Sequence, residues 1–164
     1  MKTTTVKTEP RPNLAVTLAT WFGCGFSPVA PGTAGSAGAL LPAVLLAEYA
    51  GWQPYYFGGL ALAALVPGIW AAGRTARHYG KKDPGLVVID EVLGQWITIS
   101  GATVLNWKSW LAAFLLFRLM DIWKPEPVRR LERLPGGVGI VADDVMAGLY
   151  GALVLFAAGC FNFY

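Results

Sequence analysis

The sequence predicts an all-α integral membrane protein, a compact bundle of about four to five transmembrane helices, several of them short, with an N-terminal interfacial helix and a Gly/Pro-rich loop. Three observations predict it. Of the 164 residues, 55% are hydrophobic and 14% are charged, whereas a soluble domain averages about 25% charged residues. The mean hydropathy is +0.49. The charges are also clustered: only Glu48 lies in the stretch 34–73, only Lys108 in 92–117, and none follows Asp144. A charged side chain at the bilayer centre costs about 2.5 to 3.5 kcal/mol on insertion scales, so charge-free stretches are the lipid-facing candidates. The same figures exclude a disordered chain and a nucleic-acid arm, and Cys24 and Cys160 are too few and too far apart for a disulfide scaffold.

The elements follow in order. Residues 1–13 read as an N-terminal tail and residues 14–164 as a single membrane-embedded domain. The stretch 14–26 follows Lys2, Lys7 and Arg11 as a signal peptide would, but cleavage after Ala30 would leave Pro31 as the new N-terminus, which is unfavourable. An uncleaved interfacial or half-inserted helix is the better reading. Five apolar segments come next, at residues 35–49, 54–72, 93–105, 109–120 and 145–161. The second and fifth reach the roughly 17 to 25 residues that span a bilayer. The other three are short, so they must borrow flanking residues, tilt, or sit behind their neighbours. Gly58, Gly59, Ala61, Ala63 and Ala64 would let helices approach closely.

Counting crossings gathers the polar motifs. With loop 25–33 on one side, five alternating crossings put stretches 25–36, 74–91 and 118–144 on that side. The basic residues Arg74, Arg77, Lys81, Lys82, Arg118, Lys124, Arg129, Arg130 and Arg133 fall there, against Lys108 alone on the other. The positive-inside rule makes that side cytoplasmic. A polar site at the cytoplasmic face is therefore expected.

Five carboxylates on that face form three clusters: Asp90 with Glu91, Asp121, and Asp143 with Asp144. Adjacent acids repel unless a cation lies between them, and hard divalent ions prefer oxygen ligands. Each cluster taken alone has an equal, blander reading. Asp143 or Asp144 could N-cap the last helix, Asp90 the third, and Asp121 could pair with Arg118 one turn earlier. Three clusters converging in so charge-poor a chain favour a metal or substrate site. The loop GFSPVAPGTAGS, residues 25–36, offers amides at a helix N-terminus beside Thr33 and Ser36, a possible phosphate cradle. It lacks the G-x-x-x-x-G-K-[ST] spacing and reads equally as a membrane-entry turn. Lys124, Arg129, Arg130 and Arg133 could hold an anionic headgroup or act as topology determinants. Absences narrow the chemistry. Cys24 has no Arg six residues on, no D-x-D offers an aspartyl nucleophile, and the lone His78 excludes a two-histidine phosphatase and reads as a solvated interfacial residue. The D-x-x-D-G-x-x-A-R pattern of CDP-alcohol phosphotransferases is missing too. Metal-assisted attack of water on a phosphate ester remains.

The strings GFSPVAPGTAGS, VIDEVLGQWIT, FRLMDIWKPEPVRRLERLPGG and GIVADDVMAG, in this order, resemble the bacterial phosphatidylglycerophosphatase A family over about residues 23–150. The resemblance implies a Mg²⁺-dependent, multi-pass inner-membrane enzyme that removes the terminal phosphate of phosphatidylglycerophosphate at the cytoplasmic face. The family's acidic motifs fall on Asp90, Glu91, Asp121, Asp143 and Asp144, expected to serve Mg²⁺ and water activation. Its glycine-proline loop falls on Pro31, Gly32, Thr33 and Gly35, expected at the phosphomonoester. With it, Arg118 and Lys124 are expected to neutralise charge on the phosphoryl oxygens, and Arg129 and Arg130 to hold the glycerophosphate headgroup. The implied partners are the phospholipid substrate and the bilayer, with no nucleic acid. Two other readings stand beside it: a non-enzymatic ion or solute carrier, which predicts acids at mid-membrane depth rather than at segment ends, and an assembly partner whose basic loops grip anionic lipid.

Overall fold

The computed structural model describes residues 14–164; the expected N-terminal tail, 1–13, lies outside them. All the regular secondary structure among the described residues is helical, with no strand. The helices are α1 (Leu14–Ala19), α2 (Pro31–Ala50), α3 (Pro54–Tyr79), α4 (Ile89–Ser100), α5 (Trp107–Trp123), α6 (Val128–Leu131) and α7 (Gly136–Cys160), with a 3-10 turn at Cys24–Phe26.

Helix α4 is the axle of the bundle. Nine of its 12 residues are buried, and α7, α3, α2 and α5 all pack on it. At about 1.5 Å per residue it is roughly 18 Å long, too short to span a bilayer. It is shielded on every side, so its composition need not suit lipid. Its closest neighbour is α7, and glycine sets that spacing. A Cβ at Gly148 would lie 2.5 Å from the Gly94 carbonyl oxygen, and one at Gly94 would lie 2.7 Å from the Asp144 carbonyl oxygen. Backbone therefore touches backbone where α4 and α7 cross.

The outer helices turn apolar stripes outward at helical spacing: Leu41, Leu45 and Tyr49 on α2, Leu111, Leu115 and Leu119 on α5, and Leu149, Leu153 and Phe156 on α7. Among the described residues two helices, α3 with 26 residues and α7 with 25, are long and apolar enough to cross a membrane. Helix α1, with six residues, falls well short of the roughly 17 needed. It buries Ala15, Val16 and Ala19, packs on α3 and leaves Phe22 and Phe26 of the following turn exposed.

The helices run further than the apolar segments. Helix α2 begins at Pro31, with proline in its first turn, where no N–H is missed. Helix α7 begins at Gly136 with Pro135 as N-cap, so Asp143 and Asp144 stand about two turns inside it. The cap reading of that pair is thereby excluded. Val88 is the residue before α4, and Asp90 and Glu91 occupy its first turn. Asp121 lies in the last turn of α5, and its Oδ2 pairs with Arg118 Nη1 at 2.7 Å, as the one-turn spacing anticipates.

Candidate active site

Three helices bring the acids together. The first turn of α4, the last turn of α5 and the second and third turns of α7 meet around a cavity of about 120 Å³. Asp90, Glu91, Asp121, Asp143 and Asp144 all line it. Carboxylate oxygens of Asp90, Glu91 and Asp144 lie within 4.8 Å of one another. Asp143 and Asp144 are each 4% exposed and Asp90 is 8% exposed, so water does little to screen them.

Two of the five have cationic partners. Asp121 holds Arg118, and Asp143 Oδ2 accepts a hydrogen bond from Lys124 Nζ at 2.8 Å. Asp90, Glu91 and Asp144 have no salt bridge among the described residues. Asp90 Oδ1, Glu91 Oε2 and Asp143 Oδ1 are buried with no hydrogen-bond partner. Buried polar atoms are ordinarily paired, and an orphaned carboxylate oxygen calls for a ligand. Asp90, Glu91 and Asp144 are close, all-oxygen donors, two of them with an unpartnered buried oxygen, and such a set fits a hard divalent cation.

Lys124 reaches the cavity through an unusual backbone. It ends α5 in the left-handed region, at φ 48° and ψ 61°, where glycine or asparagine is the common choice. A lysine held there carries a backbone cost on the order of 1 to 3 kcal/mol that the surrounding contacts must offset. Its ammonium is shared between Asp143 and Glu132 Oε2, the latter at 3.1 Å. Burial alone would lower its pKa; the hydrogen bond and charge of Asp143, with those of Glu132, outweigh that and hold it above the usual lysine range. Lys124 is thus a permanent cation at the cavity wall. At the mouth, Asp83 is open to solvent on one side, yet the protein around it displaces enough water to raise its carboxyl. Lys124 opposes that rise and Glu132 adds to it.

The glycine-proline loop reaches the acids through one residue. A Cβ at Gly32 would collide with Glu91 Oε1 and stand 3.2 Å from Arg118 Nη1, so the N-terminus of α2 lies directly against these two side chains and a larger residue would displace the Glu91 carboxylate. Gly35 packs one turn on against Val88, and Pro31 starts the helix. Thr33 is exposed and is not a cavity residue. Arg129 and Arg130 are exposed and stand outside the cavity lining; Arg130 pairs with Glu126 at 3.0 Å. His78 is exposed and packs edge-on against Tyr79.

Three charged lining residues were not among the site residues expected from the sequence: Lys82, which was counted only as a basic residue of that side, Asp83 and Glu132. Lys82 and Asp83 sit in the linker before α4, beside Pro84-Gly85, a pair of turn formers. Glu132 was hidden among Arg129, Arg130 and Arg133. An acid inside a basic run was the available signal.

A family model described as phosphatidylglycerophosphatase A matches residues 17–159. The phosphatidylglycerophosphatase A of Escherichia coli (strain K12) is 38% identical over 143 residues, which cover 87% of this chain and 81% of that protein. The phosphatidylglycerophosphatase A of Haemophilus influenzae is 39% identical over 141 residues, 85% of each chain. A Bacteroides thetaiotaomicron protein named "Putative phosphatidylinositol-3-phosphatase" is 42% identical over 158 residues, 88% of this chain and 93% of that protein. No solved structure matches.

Proposed function

The chain belongs to the phosphatidylglycerophosphatase A family, and from that premise we propose that it hydrolyses the terminal phosphomonoester of phosphatidylglycerophosphate to phosphatidylglycerol and inorganic phosphate. The observation that carries the reading is the meeting of five acids from three helices with one fixed lysine in a single cavity. A phosphate dianion would be repelled from such a cavity unless a cation were held there. Asp90, Glu91 and Asp144 would hold Mg²⁺, with Asp121 and Asp143 beside them. Bound there, Mg²⁺ supplies Lewis-acid polarisation of the phosphoryl group and eases deprotonation of water.

The chain's own groups divide the remaining work. Lys124 Nζ neutralises charge on a non-bridging phosphoryl oxygen, as preorganised cations do in phosphoryl transfer. Asp143 is tethered to Lys124 by Oδ2, and its unpartnered Oδ1 accepts the proton of the attacking water. The new P–O bond comes from that water, the ester P–O bond breaks, and the departing glycerol oxygen takes up a proton from solvent at the cavity. Arg118, steadied by Asp121, stands beside Gly32 and Glu91, where it offsets charge at the α2 side of the site. Arg129 and Arg130 lie outside the cavity, so their contribution is attraction to anionic lipid at the surface.

The outward stripes on α2, α5 and α7, the two long apolar helices and a phospholipid substrate together support membrane association. We read the finer arrangement as a multi-pass protein of a bacterial inner membrane. Its basic residues around the site, from Arg74 to Arg133, face the cytoplasm by the positive-inside rule.

The test is phosphate release by the purified protein in detergent, with and without Mg²⁺. Phosphatidylglycerophosphate should be hydrolysed fastest, ahead of phosphatidate and a soluble phosphomonoester. EDTA should abolish turnover and Mg²⁺ should restore it. The Bacteroides relative's name motivates one further substrate, phosphatidylinositol 3-phosphate; faster release from it would reassign the headgroup. Cation flux in reconstituted vesicles without phosphate release from any lipid would favour a carrier, a reading kept in play by the recess of Asp143 and Asp144 inside α7.

A further inference from the structure

We propose that Glu132 is a charge gate: a carboxylate that occupies Lys124 until a phosphomonoester dianion displaces it, and that keeps monoanionic phosphodiester lipids from taking its place. The inference rests on the lipid phosphatase reading and concerns how the site chooses its substrate.

Lys124 has two acidic partners of different kinds. The Asp143 side chain is 6% exposed and bound at 2.8 Å, whereas the Glu132 side chain is 50% exposed and bound at 3.1 Å. One partner is fixed in the core and the other can swing into water. The Glu132 main chain is itself tethered. Its carbonyl oxygen accepts a hydrogen bond from Lys82 Nζ at 3.2 Å, and it packs over Gly139 of α7, where a Cβ would stand 3.3 Å from that oxygen. A carboxylate on an anchored backbone returns to the same place each time it leaves. The strained left-handed backbone of Lys124 fixes the other half of the pair.

Charge then sorts the ligands. Lys82 and Lys124 are the cationic side chains lining the cavity, against the five central acids with Asp83 and Glu132. A phosphodiester such as the product carries one negative charge, so in replacing Glu132 it exchanges one charge for one and gains nothing for its lost hydration. A phosphomonoester carries about 1.5 to 2 charges near neutral pH and gains where the carboxylate does not. After hydrolysis the lipid product is a diester again, and Glu132 reclaims Lys124. A membrane is rich in anionic diesters, so the gate works against the commonest competitors.

The experiment uses the full chain in mixed micelles with Mg²⁺ and compares wild type, Glu132→Gln, Glu132→Asp and Glu126→Gln. It measures KM and kcat for phosphatidylglycerophosphate and inhibition by added phosphatidylglycerol. Glu132→Gln should lower KM about fivefold, the scale of one half-exposed ion pair, with a smaller change in kcat and stronger inhibition by phosphatidylglycerol. Glu132→Asp should restore part of the wild-type behaviour. Glu126 pairs with Arg130 outside the cavity, so Glu126→Gln controls for simple loss of surface charge. An unchanged or raised KM with unchanged inhibition in Glu132→Gln overturns the gate, as does an equal shift in Glu126→Gln. A wild type that releases no phosphate from any lipid monoester overturns the phosphatase reading, and the gate with it.

Discussion

The two walls of the cavity are built in different ways. On one side α4 and α7 meet backbone to backbone at Gly94 and Gly148, and they carry Asp90, Asp143 and Asp144 almost fully out of water, with Glu91 half-buried beside them. On the other, the end of α5 and the segment through α6 pack on α7 through Phe117, Val128 and Ala147, and they carry ion pairs of long side chains: Arg118 with Asp121, and Lys124 with Glu132. The glycine-packed wall has no slack, since neither helix can approach or roll without backbone collision. The ion-paired wall can exchange partners one at a time. A cation site demands fixed donors and an anion site demands reversible ones, so the proposed reading would place each on the wall that suits it.

The comparison can be broken most severely at the rigid wall. Asp90→Asn and Asp143→Asn should each leave a folded membrane protein and reduce phosphate release at least about a hundredfold, the scale of lost electrostatic catalysis; near-wild-type turnover by either purified variant removes that residue from the site. Gly148→Ala comes next. Its methyl group has no room beside Gly94, so overpacking should cost about 1 to 3 kcal/mol of stability. Activity should fall with it although no carboxylate is touched, as thermal unfolding in detergent and turnover would show together. The smallest effect belongs to the surface. Arg130→Ala removes an exposed pair with Glu126, worth about 1 kcal/mol or less, so kcat should stay within about twofold while binding to anionic vesicles weakens slightly.

These contrasts also mark how far the sequence could be read. The apolar segments 54–72 and 109–120 became α3 and α5, and the crossing count placed all five acids on one side, where they now share a cavity. The two segments were legible because charge avoidance in apolar stretches is a strong, local signal. Helix starts were misjudged where glycine obscured them: α7 begins at Gly136, among residues of poor helix propensity, nine residues before the segment read from hydropathy. That error made Asp143 and Asp144 look like end-of-helix acids. Segment 93–105 overran α4 because the turn after Ser100 is as apolar as the helix. Lys82, Asp83 and Glu132 were missed for another reason. They reach the cavity through linkers that fold back on α7, and no periodicity encodes a fold-back. Thr33, chosen for its hydroxyl, points to the exposed side because the one-turn geometry of α2 gives the inward position to Gly32.

The contact of Gly94 with Gly148 has a consequence for where this protein can work. Side-chain packing loosens with heat and adapts to the thickness of the surrounding lipid, so a site spaced by leucines would inherit those variations. Here the gap between the acid-bearing helices is set by the radii of main-chain atoms, which respond to neither. Changes in the surroundings of α2 and α5 would therefore leave the spacing of α4 and α7, and with it the distance from Asp90 and Glu91 to Asp144, constant, as a jig holds a workpiece whatever bench it is bolted to.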